Sequence, residues 1–165
     1  MPTRRVTVNQ IPGLRSSVRA LAVLESEGDD AVNAFPILRR FEAVTHSKVL
    51  KEREAVWAVF RDWMTFGRER QHEKLHHGWP PDSEFSIGYV FKWDNYQRRH
   101  RRLYGFLTTP RPKFDVCVLC CYRSKDTGHT EPEVKRIVRA LSEHPTVKEA
   151  VKLTFGQGGE KQWVH

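Results

Sequence analysis

Apolar positions along the chain change period twice, and each change marks a change of element. Between Ser47 and Gly67 they fall at Val49, Leu50, Val56, Trp57, Phe60, Trp63 and Met64, spacing that predicts an amphipathic helix capped by Ser47 and stopped by Gly67. At Phe85, Ile87, Tyr89 and Phe91 the period becomes two, which predicts a half-buried strand. After a loop KWDNYQ, the run RRLYGFLTT (101–109) and, past the turn PRPK, the nearly continuous apolar run FDVCVLCCY (114–122) predict two more strands. The latter suits the centre of a sheet, and the short links imply a three-stranded antiparallel meander. Helical spacing returns at Val134, Ile137, Val138 and Leu141, opened by a Thr130-x-x-Glu133 capping box and broken at Pro145, with a short continuation over 146–155.

Upstream the pattern is less sharp. Residues 1–16 read as a loose or edge-pairing arm, and SVRALAVL (17–24) as a first strand or a short helix. ESEGDD is a turn, and residues 30–44 form a helix with Asp30 as N-cap, Pro36 sitting in its first turn or breaking it. Strand, helical hairpin, meander and C-terminal helix make an α+β fold, helices packed on a small antiparallel sheet. At 165 residues the chain suits one domain, taken as 1–155, followed by a glycine-rich tail over 156–165 expected to be mobile.

Charge adds a direction to this frame. The formal net charge is +8. Residues 92–125 carry nine Lys and Arg against two Asp, so nearly all of the excess lies on the meander and its loops. A charge run is usually a solvated face. Here it is interleaved with Trp93, Tyr96, Tyr104 and Tyr122, the mixture that neutralises phosphates and stacks bases. Strand parity puts Arg102, Tyr104 and Phe106 on one face, and pairing through the turn at 110–113 brings Arg102, Tyr122, Arg123 and Lys125 to one end of the sheet.

Other chemistries find little support. Residues 117 and 120 of the Cys117-x-x-Cys120 pair point to opposite faces of a strand, which reads as buried thiols, Cys121 included, in a reducing compartment. His76 and His77 diverge as neighbours and no Cys sits close to them, so no metal is expected, nor any other cofactor. No phosphate-cradling Gly loop, His-Glu-x-x-His helix or Gly-x-Ser-x-Gly elbow occurs. No run nears the roughly 18 apolar residues of a membrane span, and no apolar stretch follows the basic N-terminus as in a signal peptide; a cytoplasmic protein without membrane contact is expected.

The segments EKLHHG (73–78), RRLYGF (101–106), DVCVLCCYRSK (115–125) and TEPEVKRIVRA (130–140) resemble the RelE/ParE superfamily of bacterial toxins from type II toxin–antitoxin modules, nearest its HigB-like, phage-derived branch. The likeness spans roughly 17–145; this chain adds material at both ends and around 78–100, as a strand or a loop. The resemblance implies a RelE-like fold and an mRNA interferase, a metal-independent endoribonuclease often acting on the ribosome and silenced by a cognate antitoxin. Its chemistry is attack of a ribose 2′-OH on the adjacent phosphate. By position, Arg102 and Arg123 would then hold the phosphorane, with Tyr122 or Lys125 as proton-transfer partner and His129 a further candidate. Lys74, His76, His77, Lys92, Arg98, Arg99, His100, Arg101 and Tyr104 would contact RNA. The plainer readings are a strand-end packing role for Tyr122 and a helix-entry hydrogen bond for His129. A ParE-like gyrase poison and a non-catalytic basic nucleic-acid-binding module are the alternative functions.

Overall fold

The computed structural model describes residues 5–43, 47–69, 74–79, 87–95, 97–124 and 131–156. Six strands form one sheet: β1 (Val6–Arg15), β2 (Arg19–Ser26), β3 (His76–Gly78), β4 (Gly88–Asp94), β5 (His100–Arg111) and β6 (Phe114–Arg123), in the spatial order β1-β2-β6-β5-β4-β3. Four helices, α1 (Ala34–Glu42), α2 (Ser47–Phe66), α3 (Glu131–Glu143) and α4 (Pro145–Phe155), complete the described residues together with a 3-10 turn at Gly67–Glu69. The α+β class is as expected, but the sheet is larger than expected and it is mixed.

β2 runs parallel to β6, with Leu21 beside Cys117 and Val23 beside Leu119, while every other pair is antiparallel. Two strands account for the added width. The N-terminal arm is an edge strand paired with β2 from Val6↔Ser26 onward. The His-His-Gly step pairs with β4 at the other edge, and a three-residue strand is too short to show any period.

Helices cover both faces of the sheet. α1 and α2 bury Leu38, Phe41, Val56, Phe60 and Trp63 against Leu21, Phe91, Leu103, Cys117 and Leu119. α3 and α4 bury Val134, Val138, Val147, Val151 and Phe155 against Ala22, Val90, Tyr104, Phe106, Val116 and Val118. A strand covered on both sides has no polar face, which explains the unbroken apolar run of β6. It also removes the half-buried character expected of β4, where Tyr89, Val90 and Phe91 are all fully buried. Ile87 lies outside that strand and is exposed, and Phe85 falls outside the described residues.

Local chemistry sets the helix ends. α1 starts at Ala34 rather than at an Asp30 cap: Asp29 Oδ1 accepts from the Ala31 N–H at 3.1 Å, which turns the chain first. Pro36 fits in the first turn. α2 stops where Gly67 takes φ +64°, and Arg19 Nη1 donates to the end carbonyls of Met64 (2.6 Å) and Thr65 (3.1 Å). α4 begins with Pro145 at its first position, His144 accepting from the Thr146 N–H. The Thr130 cap of α3 and the tail beyond Gly156 fall outside the described residues.

Candidate nucleic-acid interface

One end of the sheet, where β5 begins and β6 ends, gathers the charge. Arg102 and Arg123 are register partners. Both reach the carboxylate of Glu131, the first residue of α3: Arg102 Nη1 donates to Oε1 at 3.0 Å and Arg123 Nη1 lies 3.8 Å away. Tyr104 Oη donates to the same oxygen at 3.3 Å. Arg123 Nη1 is shielded from solvent and makes no hydrogen bond among the described residues, so this guanidinium donor meets Glu131 through charge. Burial pushes the Tyr104 hydroxyl above its ordinary range, with the Arg102 guanidinium opposing, which keeps the phenol a proton donor near neutral pH. Two guanidinium groups and a phenol thus converge on one anionic oxygen, a donor set that suits a phosphate oxygen equally well.

Tyr122 is not part of this group, contrary to expectation. It neighbours Arg123 on a strand and faces the other side of the sheet, its ring 6.1 Å from that of Trp93. Its hydroxyl is pushed up, by burial first, with Arg101 opposing. Arg101 lies on that side too; it is buried, and Nη1 donates to the His100 carbonyl at 3.2 Å. Lys125 and His129 fall outside the described residues, as does Tyr96.

Two further residues expected to touch RNA are interior. Tyr104 is fully buried with its ring 4.5 Å from Trp79, leaving no face for a base. His76 is fully buried as well: Nε2 lies 2.7 Å from Asp62 Oδ2 and Nδ1 lies 2.7 Å from Tyr89 Oη. A carboxylate only accepts, so Nε2 carries the proton, and in the neutral ring Nδ1 accepts from Tyr89. The acidic partner, Asp62, comes from α2 and not from the segment around His76. His77 turns aside, with Nδ1 donating to the Gly78 carbonyl at 2.7 Å.

The remaining basic residues are at the surface. Arg98, Arg99 and His100 are exposed. They ride a turn built on Asn95, whose Oδ1 accepts from the N–H groups of Gln97 and Arg99, both at 2.9 Å, and in which Arg98 takes φ +59°. His100 Nδ1 pairs with Asp94 at 2.8 Å. Lys74 is exposed, and Lys92, half-buried, is the β4 register partner of Arg102.

Sequence reasoning missed Glu131 and Asp62. The available signal for Glu131 was an acidic residue in the first turn of a helix that follows a basic strand end. Cys117, Cys120 and Cys121 are free and buried, with Cys117 in one core and the other two in the opposite one. Burial pushes all three thiols up, Cys121 to about 12. Among the described residues no group of three or more His, Cys, Asp or Glu is placed to hold a metal ion, and no helix is long and apolar enough to cross a membrane. In comparisons with known proteins, no family model, curated protein or solved structure matches this chain.

Proposed function

We propose that this protein binds RNA at the Arg102–Arg123 end of its sheet and cleaves it, as a cytoplasmic toxin held in check by an antitoxin protein. The observation that carries the reading is the Glu131 carboxylate shared by Arg102, Arg123 and Tyr104. A phosphate oxygen would displace that carboxylate oxygen from the two guanidinium groups, freeing Glu131 to accept a proton. In the reaction the ribose 2′-oxygen attacks phosphorus, the bond to the 5′-oxygen breaks, and a 2′,3′-cyclic phosphate and a 5′-hydroxyl result. Glu131 takes the 2′ proton; Arg102 and Arg123 hold the equatorial oxygens, whose charge grows in the transition state. Lys125 and His129, in the segment joining β6 to α3, are the residues offered for protonating the 5′-oxygen.

A second reading keeps the grip and drops the cleavage. It draws support from the same contacts, since a carboxylate neutralised by two arginines also staples α3 to the sheet. Incubation with end-labelled single-stranded RNA separates the two. Products ending in cyclic phosphate, lost in a folded Arg102→Ala/Arg123→Ala variant, support cleavage. Intact RNA bound with steep salt dependence supports the second reading, and absence of binding overturns both.

A further inference from the structure

A cleft of about 710 Å³ opens beside the arginine pair, between α2 and the end of β4, and Arg102 lines it. Its volume suits a small molecule or a nucleotide. Val59 and Leu75 supply apolar wall, and Lys74, Lys92 and Arg101 supply positive charge. Two carboxylates interrupt that cationic lining: Asp94, already paired with His100 Nδ1 at 2.8 Å, and Asp62.

Asp62 is held in a way that surface carboxylates are not. Its Oδ2 accepts from the fully buried His76 at 2.7 Å, and His76 is fixed from behind by the buried Tyr89 hydroxyl at 2.7 Å. Asp62 itself keeps about a quarter of its side chain open to the cleft. A carboxylate oriented from the interior presents its remaining lone pairs in a fixed direction, which is how a site reads hydrogen-bond donors.

The lining limits what those donors belong to. A cationic ligand would meet Lys74, Lys92, Arg101 and Arg102; an anion alone would meet Asp62 and Asp94. A nucleotide satisfies both, with its phosphate toward the cations and a neutral base toward the Asp62 carboxylate. Of the four bases, guanine offers two adjacent donors on one edge, N1–H and the N2 amino group, the match for a two-oxygen acceptor. We infer that this cleft binds a guanine base of single-stranded RNA, Asp62 reading its N1–H and N2 amino group, next to the phosphate held at Arg102. The inference rests on the phosphate reading of the arginine pair.

The test measures binding, by fluorescence anisotropy, of a short RNA with one guanosine, 2′-O-methylated to prevent cutting, and of the same RNA with inosine or adenosine in its place. Inosine lacks only the N2 amino group. The wild type is expected to bind the inosine RNA about tenfold more weakly, and the adenosine RNA more weakly still. Asp62→Asn, whose amide oxygen still accepts from His76, is expected to lose the preference. Equal binding of the guanosine and inosine RNAs, or an unchanged preference in Asp62→Asn, overturns the inference. If Arg102→Ala/Arg123→Ala still weakens every RNA in that case, the phosphate reading stands. Failure of the wild type to bind any of the RNAs overturns that reading and the inference together.

Discussion

Replacing Tyr89 by Phe removes one hydroxyl and leaves the rest of its packing in place. The ring keeps its edge contact with Trp63 (centroids 6.5 Å apart) and its tilted contact with Phe91 (5.5 Å). What is lost is the donor at 2.7 Å to His76 Nδ1, and His76 is fully buried, so water does not replace it. A buried acceptor stripped of its donor costs about 1–3 kcal/mol, which in a domain of this size lowers Tm by about 2–4 °C per kcal/mol. His76→Phe carries a comparable cost, since it strands the Tyr89 hydroxyl, while Asp62, a quarter exposed, turns to water. In the double variant neither orphan remains. Urea unfolding of the wild type, the two single variants and the double variant is expected to give a coupling of about 1–2 kcal/mol, the double being less destabilised than the sum. Additive effects, agreeing within about 0.5 kcal/mol, would refute the relay as an energetic unit.

Other perturbations probe the rest of the molecule. A Cβ on Gly105 would meet the Val118 carbonyl and lie 3.0 Å from Leu119 Cα, all backbone of β6; Gly105→Ala should cost about 3 kcal/mol, and an unchanged thermal midpoint would contradict the close approach. Glu131→Gln should cost only about 0.5 kcal/mol, because Glu131 is half exposed and Arg102 a third, yet slow RNA cleavage about a hundredfold without weakening RNA binding. Parallel losses of binding and cleavage would count against its role as base. The raised thiols protonate more fully in the folded state, so stability is intact below the ordinary thiol value of 9.0 and falls above it, for Cys121 until about 12. The slope is about 1.4 kcal/mol per pH unit for each thiol, and urea midpoints in Cys117→Val should fall less steeply than in the wild type.

Legibility in the sequence followed the range of the interaction. α2 was readable from its stripe, its Ser47 start and its Gly67 stop, since all three signals lie within the element. The pairing of β5 with β6 was readable because a tight turn joins them. The parallel pairing of β2 with β6 was not, because the partners lie roughly a hundred residues apart and strand composition does not name a neighbour. His76 failed for the same reason: its partner Asp62 sits on α2, across a connection with no periodicity of its own. Tyr104 was read correctly for face and wrongly for exposure, because Trp79, from the far side of β4, covers it.

Tyr122 and Arg123 exchanged faces through a single residue. Strict alternation from Phe114, Val116 and Val118, which point at α3 and α4, would put Cys120 and Tyr122 there too and turn Arg123 toward α2. In the register, however, Tyr104 pairs with Cys121 and Gly105 with Leu119, so Cys120 is an extra residue in β6. Cys120 and Cys121 therefore both enter the α3 core, and from that point the parity is reversed. The reversal decides the electrostatics of the sheet end. Without it, Arg123 would share a side with the buried Arg101 and Trp93, two like charges in a poorly hydrated space, while Glu131 would face Arg102 alone. With it, Arg101 lies beside Tyr122 on one side, and Arg102 and Arg123 meet one carboxylate on the other. Gly105, opposite the bulge, has no side chain to hold β6 away. The arginine pair is thus a product of backbone geometry at Gly105 and Cys120, two positions that carry no charge.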